Sequence, residues 1–146
     1  MNDPGVEFSS DPARLDAGRV LAWMNGSYWG KDRTREMMDR CIANSLCFGA
    51  YRDGVQVAFG RLVTDRCLIG YLADVFVAPE HRGQGIGRAL MESVLAHPDV
   101  ARLQVILLRT VDAHGFYRSL GFEAVPRVQE LMGLYRHEPP SGEIEA

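Results

Sequence analysis

The chain has 146 residues, with 16 Lys and Arg against 19 Asp and Glu, so its formal net charge is −3 with the four His neutral. That length suits one domain with a real core, and 47% hydrophobic with 24% charged residues argues against a disordered tail protein or a fibrous repeat. A mildly acidic balance without a basic run lacks the phosphate-neutralising stripe that duplex binding needs, which speaks against nucleic acid as a partner.

Cys41, Cys47 and Cys67 are odd in number and form no CxxC pair, a usage that fits reduced thiols in the cytoplasm. The opening MNDPGVEFSSDP has no cationic segment followed by an apolar stretch, so it does not read as a signal peptide. Apolar runs such as Val105 to Leu108 fall far short of the roughly 20 residues that cross a bilayer, so no membrane partner is expected. No repeat or internal linker breaks the chain. The expectation is one domain over residues 1–136 and a flexible tail over 137–146, where HEPPSGEIEA has almost no apolar content.

Asp11-Pro12 reads as a cap and first-turn proline, with Leu15, Val20, Leu21 and Met24 at helical spacing, and predicts a helix from Asp11 to Asn25. Thr34 opens a second, with Met37, Met38, Cys41 and Ile42 as its apolar stripe and an end near Asn44. Leu46 to Tyr51 and Val55 to Val63 read as strands joined by an Asp53-Gly54 hairpin turn. Leu68 to Val77 is a further strand, apolar except at Asp74. After the glycine-rich stretch Pro79 to Gly85, a helix carries Ile86, Leu90, Met91 and Val94 and closes at His97-Pro98. Leu103 to Leu108 is β-type, Ala113 to Leu120 is a short helix stopped by Gly121, and Phe122 to Val125 and Leu131 to Tyr135 are weaker strands. The order indicates an α/β or α+β domain around one mixed sheet.

The segment from Val75 to Arg88 carries the chemistry. A strand runs out, the chain turns through glycines, and a helix begins whose first N–H groups and positive dipole end form an anion site. Gly83, Gly85 and Gly87 lack the Cβ atoms that would hold a phosphate away, and Arg82 and Arg88 stand at the rim. No GxxxxGK[ST] string occurs, and GxGxxG begun at Gly83 fails because Arg88 occupies the last glycine position. Both usual nucleotide motifs are absent.

Arg82, Gly85 and Gly87 instead satisfy R-x-x-G-x-G, and Ala113-His114-Gly115-Phe116-Tyr117-Arg118-Ser119-Leu120-Gly121-Phe122 matches A-x-x-x-Y-x-x-x-G-F about thirty residues later. In both motifs the chain resembles the GNAT superfamily of N-acetyltransferases, over roughly Val55 to Phe122. Residues outside that span, among them Ser27-Tyr28-Trp29, are similar to a branch of small members of unassigned acceptor. The resemblance implies a mixed, twisted sheet of six or seven strands with helices on both faces, and acetyl-CoA in the cleft between splayed central strands. It also implies that the Val75 amide faces the thioester carbonyl and the Val77 amide bonds the pantetheine chain. Gly83, Gln84, Gly85, Gly87 and Arg88 would then contact the pyrophosphate, mainly through backbone N–H groups. Where the family often has Asn seven residues before the tyrosine, this chain has Thr110, whose hydroxyl can still bond a pantetheine amide.

By the same resemblance Tyr117 is the general acid that protonates departing CoA; the alternative is an aromatic that packs its helix onto the sheet. With a thiol near ~8.5 and a phenol near ~10, that transfer is uphill by only about 2 kcal/mol. Asp74 is the candidate base, because an unpaired buried carboxylate would cost several kcal/mol and so needs a task or a partner. An ion pair with Arg61 or Arg109 is the alternative. Tyr28 and Trp29 would flank the acceptor amine in the loop between the first two helices, or lid the core instead. Thr64-Asp65 reads as a hairpin turn. His81, His97, His114 and His137 share no metal-like spacing, so no metal is expected.

The function expected is therefore acetyl transfer from acetyl-CoA to a primary amine of a small molecule, with a homodimer left open. A CoA-binding sensor without turnover is the rival reading, and a plain phosphate- or nucleotide-binding domain is a second.

Overall fold

The computed structural model describes residues 5–137. They fall into two compact units that divide between Leu108 and Arg109. The expected tail from 138 onward lies outside the described residues.

The first unit is built on a five-stranded sheet in the order β1-β2-β3-β4-β5. Its strands are β1 (Val6–Ser9), β2 (Leu46–Arg52), β3 (Val55–Thr64), β4 (Ile69–Val77) and β5 (Val105–Leu108). Antiparallel pairing runs from β1 to β4, and β4 pairs with β5 in parallel, so the sheet is mixed as expected. The Asp53-Gly54 turn forms, with Asp53 at φ 51° and Gly54 at φ 78°. In the β3–β4 turn the Asp65 carboxylate accepts the N–H groups of Cys67, Leu68 and Ile69, which hold its pKa below the usual carboxylate range.

Helices cover both faces. Against one lie α1 (Ala17–Asn25) and α2 (Arg35–Ala43), whose Val20, Met24 and Met38 enclose Cys47 and Phe59 in a fully or nearly dry cluster. On the other face α3 (Ile86–Ala96) seats Leu90 against Gly60, which follows Phe59 and so points the opposite way in the pleat. Each such buried side chain contributes roughly 1.5–3 kcal/mol. A short α4 (Pro98–Ala101) follows, capped by His97, whose Nδ1 accepts the Asp99 N–H.

Several expectations are corrected. The helix drawn from Asp11 to Asn25 is two pieces, a 3-10 turn at Pro12–Arg14 and then α1. The break falls at Asp16, whose N–H donates to Gln56 Oε1 at 2.8 Å while its carboxylate caps the Arg19 N–H at 3.0 Å. Strand β1 was not anticipated. Neither Phe122 to Val125 nor Leu131 to Tyr135 forms a strand, so the sheet has five strands among the described residues instead of six or seven. Their apolar pattern finds no ladder: Leu131, Met132 and Leu134 stay 60%, 97% and 80% exposed.

In the second unit α5 (His114–Ser119) ends in a left-handed glycine, Gly121, at φ 101°. Phe122 N–H reaches Tyr117 O at 3.0 Å and Gly121 N–H reaches Arg118 O at 3.0 Å, the two bonds of a Schellman cap. The accompanying apolar contact is Tyr117 against Phe122, edge to face at 5.7 Å. Part of the Y-x-x-x-G-F signature is thus a helix stop.

Candidate active site

Strand β4 is paired with β5 only from Ile69 to Leu72, and on that side Ala73 to Val77 run on with no β5 partner. The Ala78 N–H donates across to Val57 O at 2.9 Å, so by strand alternation the Val77 and Val75 N–H groups point away from β3, toward the unpaired side. The two amides predicted to meet the thioester arm therefore lie on the edge of β4 that β5 leaves unpaired.

A bulge sits at the start of that unpaired edge. The β3–β4 register shifts between Phe59 and Arg61, and Asp74 opposite it adopts φ 58°, a left-handed conformation that costs a non-glycine residue about 1–2 kcal/mol. What holds it is visible in its side chain. Arg33 Nη1 and Nη2 reach the Asp74 carboxylate at 2.7 and 3.0 Å, and Arg61 Nε reaches it at 2.8 Å. The carboxylate is 1% exposed. Burial pushes its pKa up, but the Arg33 hydrogen bonds and the Arg61 charge outweigh burial and hold it below the usual range.

Past β4, a 3-10 turn at Pro79–His81 leads into the glycine loop. Gly83 has φ 77° and Gly85 φ 81°, and Gly85 is the N-cap of α3 with no side chain bonding the first turn. A Cβ built on Gly83 would meet nothing within 4 Å, so the space beside this residue is free. A helix start with no side-chain cap, preceded by glycines, is chemically suited to a pyrophosphate. The loop's side chains turn elsewhere. Arg82 Nε donates to Val77 O at 2.9 Å with its guanidinium 5.0 Å from the Phe76 ring, Gln84 Oε1 accepts from Arg52 at 3.0 Å, and Arg88 lies 3.5 Å from Glu92. These three side chains are thus engaged with neighbouring groups of the same unit.

The α1–α2 segment is tightly tied. Ser27 Oγ donates to Met24 O and accepts from Gly30 N–H, and Asn25 exchanges hydrogen bonds with the Arg33 backbone at 3.0 and 3.1 Å. Tyr28 is half exposed and meets Trp29 edge-on at 5.1 Å. Trp29 packs against the α1–α2 core cluster, and its buried Nε1 has no hydrogen-bond partner.

In the second unit Thr110 Oγ1 accepts the Ala113 N–H at 3.0 Å, which leaves the hydroxyl proton to donate. Tyr117 is half-buried between Phe116 and Phe122, and burial, with the Asp112 charge, pushes its phenol up to about 12.

The acetyltransferase (GNAT) domain family matches residues 43–124. A Gibberella zeae protein, provisionally named an acetyltransferase, is 30% identical over 150 residues that cover 86% of this chain and 84% of its own. The crystal structure of a Xanthomonas campestris protein, provisionally assigned to the GNAT acetyltransferases, superposes with a TM-score of 0.88 at 44% identity, over 92% of this chain and 95% of that one. The chain belongs to the GNAT acetyltransferase family. A Stenotrophomonas maltophilia aminoglycoside N(6′)-acetyltransferase is 28% identical over 82% of this chain and 84% of its own.

As a GNAT acetyltransferase the protein is acyl-CoA-dependent. One residue of this acetyltransferase escaped the sequence reading. Arg33 sits in Lys31-Asp32-Arg33, which looks like a solvated charge run, yet its guanidinium is only 17% exposed and its partner lies 41 residues on. A buried carboxylate in β4 was the available signal that some distant guanidinium had to come. No helix among the described residues is long and apolar enough to cross a membrane.

Proposed function

We propose that the protein transfers the acetyl group of acetyl-CoA to a primary amine of a small molecule by direct attack. The observation that carries this reading is the adjacency of two features: strand amides at Val75 and Val77 turned into an unpaired gap, and a glycine-lined helix start just beyond. A thioester arm ending in a diphosphate needs both, and a bare phosphate needs only the second.

In the proposed step the neutral amine attacks the acetyl carbonyl, its oxygen gathering charge near the Val75 N–H. The carbon–sulfur bond then breaks, the thiolate takes the Tyr117 proton, and the new amide nitrogen gives its surplus proton to water. A phenol pushed up to about 12 stays protonated at neutral pH, as an acid must, though transfer to a thiolate whose acid titrates near 8.5 is then uphill by about 5 kcal/mol. That cost is small beside the barriers enzymes lower. Asp74 is assigned the ion-pair role in place of general base, since a carboxylate clamped by two guanidiniums has little affinity for a proton. Proton loss from the amine then runs through water. Tyr28 is proposed to flank the amine, with Trp29 fixing it from the core side.

The cytoplasm is the proposed compartment, a reading supported by three free cysteines. The small-molecule acceptor is supported by the Stenotrophomonas relative's name, so aminoglycosides belong in the panel with mono- and polyamines. The test is thiol release from acetyl-CoA across that panel, with mass spectrometry of the product. Amine-dependent release with one acetyl added per thiol supports transfer. CoA binding with no amine-dependent release would favour the sensor reading.

A further inference from the structure

We propose that Arg33 is a positioning residue that ties the α1–α2 segment to the β4 bulge, so that the acceptor side and the donor side of the site order together. The inference rests on the donor reading above for what lies beside the bulge, but the tie itself is in the structure. Asp74 is the bulge residue and immediately precedes Val75, whose N–H enters the gap. Arg33 closes the segment that carries Tyr28 and Trp29 and directly precedes Thr34, the N-cap of α2, whose Oγ1 accepts the Met37 N–H.

The division of labour between the two arginines follows from their placement. Arg61 stands on β3, next to the bulge in the sheet, and also donates to Ser45 Oγ at 3.2 Å, so it holds the carboxylate to the sheet. Arg33 alone brings a loop. It takes both carboxylate oxygens in a planar fork, a geometry that a point charge on a flexible stem does not reproduce. Asp32 just before it sits at φ 66°, and the Arg33 backbone is held by Asn25, so little slack separates the guanidinium from the aromatic pair. Anything that fixes the bulge, such as a ligand bonded to the Val75 N–H, lowers the freedom of Asp74 and through it the freedom of residues 27–34.

Hydrogen exchange read by mass spectrometry tests this, with CoA as the probe and calorimetry for its affinity. Arg33→Gln is the chosen variant because Arg61 still neutralises Asp74 and the sheet stays folded. In the wild type, CoA should slow exchange at 75–77, at 83–88 and also at 27–34. In Arg33→Gln, CoA affinity should stay within about twofold, while 27–34 exchanges roughly tenfold faster and no longer responds to CoA. Arg33→Lys should restore only part of the protection, since it offers one contact in place of the fork. The proposal is overturned if 27–34 in Arg33→Gln exchanges as slowly as in the wild type, or still slows on adding CoA. Failure of CoA to bind the wild type would overturn the donor reading and the coupling with it. The Arg33-dependent protection of 27–34 without CoA would stand or fall separately.

Discussion

Arg82 bonds the carbonyl of Val77 at 2.9 Å, five residues back along the chain, and lays its guanidinium over Phe76. The same Phe76 stacks with Trp23 of α1 at 5.3 Å. A residue whose type suggests phosphate binding therefore braces the glycine loop against the end of β4. In an extended strand a residue's N–H and C=O face the same edge, so the Val77 N–H lies on the edge where Arg82 meets the carbonyl.

Arg82→Ala should weaken CoA binding about tenfold, the scale of a lost charge-assisted hydrogen bond. Arg82→Lys should not recover it, since lysine restores charge but not the flat stack with a directed Nε–H. Calorimetric titration with CoA decides the point: recovery by lysine would mean that Arg82 acts by charge on the phosphates.

The loop glycines should separate folding from binding. Gly83 lies at φ 77°, so Gly83→Ala meets no clash but costs about 1–2 kcal/mol of backbone strain and should lower Tm. Gly87 is inside the first turn of α3, where alanine is favoured by up to about 1 kcal/mol, and its added Cβ would touch Val77 Cγ2 at 3.4 Å. Gly87→Ala should therefore keep or raise Tm. Gly83→Ala should lose CoA affinity while Gly87→Ala, which adds only a methyl group against Val77, keeps it, and full retention in Gly83→Ala would place the anion elsewhere.

What could be read from residue order was what short-range physics decides. The Thr34 cap, the Asp53-Gly54 turn and the glycine loop each depend on a few neighbouring residues, and each stands where expected. Strand β1 has only four residues and exists because Val6 to Ser9 find Arg52 to Gly49 across the sheet, a partnership no local pattern announces. The opposite error arose at Leu131 to Tyr135, where an apolar run had strand composition but pairs with no strand among the described residues. At Asp74 the sequence shows a carboxylate that must be compensated and not how. The bulge, the left-handed φ and the guanidinium of Arg33 all come from tertiary contacts.

Asp74→Asn should act on stability more than on chemistry. The carboxyl's pKa is lowered in the fold, so the ion cluster stabilises fully above the unfolded value near 3.9 and loses that contribution as pH falls through the folded value. Removing the charge leaves two guanidiniums facing a neutral amide, a loss of about 3–5 kcal/mol. Thermal melts should show a lower Tm at neutral pH and a gap between wild type and variant that narrows below about pH 4. The acidic limb of the pH–rate profile should stay in place. A limb that moves would restore Asp74 as the base.

Tyr117→Phe should leave CoA affinity nearly intact, because the ring contacts with Phe116 and Phe122 survive, and should lower kcat by roughly 10²-fold, the usual worth of a positioned acid. The raised phenol adds a sharper expectation. Burial first, and Asp112 second, push it up to about 12, so its neutral form persists well beyond the ordinary tyrosine range near 10. Wild-type kcat should accordingly show no fall that belongs to Tyr117 below about pH 10. Asp112→Asn removes one of the two causes and should bring the phenol's titration down, observable as its ultraviolet absorbance change at lower pH. An alkaline limb near pH 8 that vanishes in Tyr117→Phe would contradict this environment for the phenol, and equal kcat in the two proteins would remove Tyr117 from the proton transfer altogether.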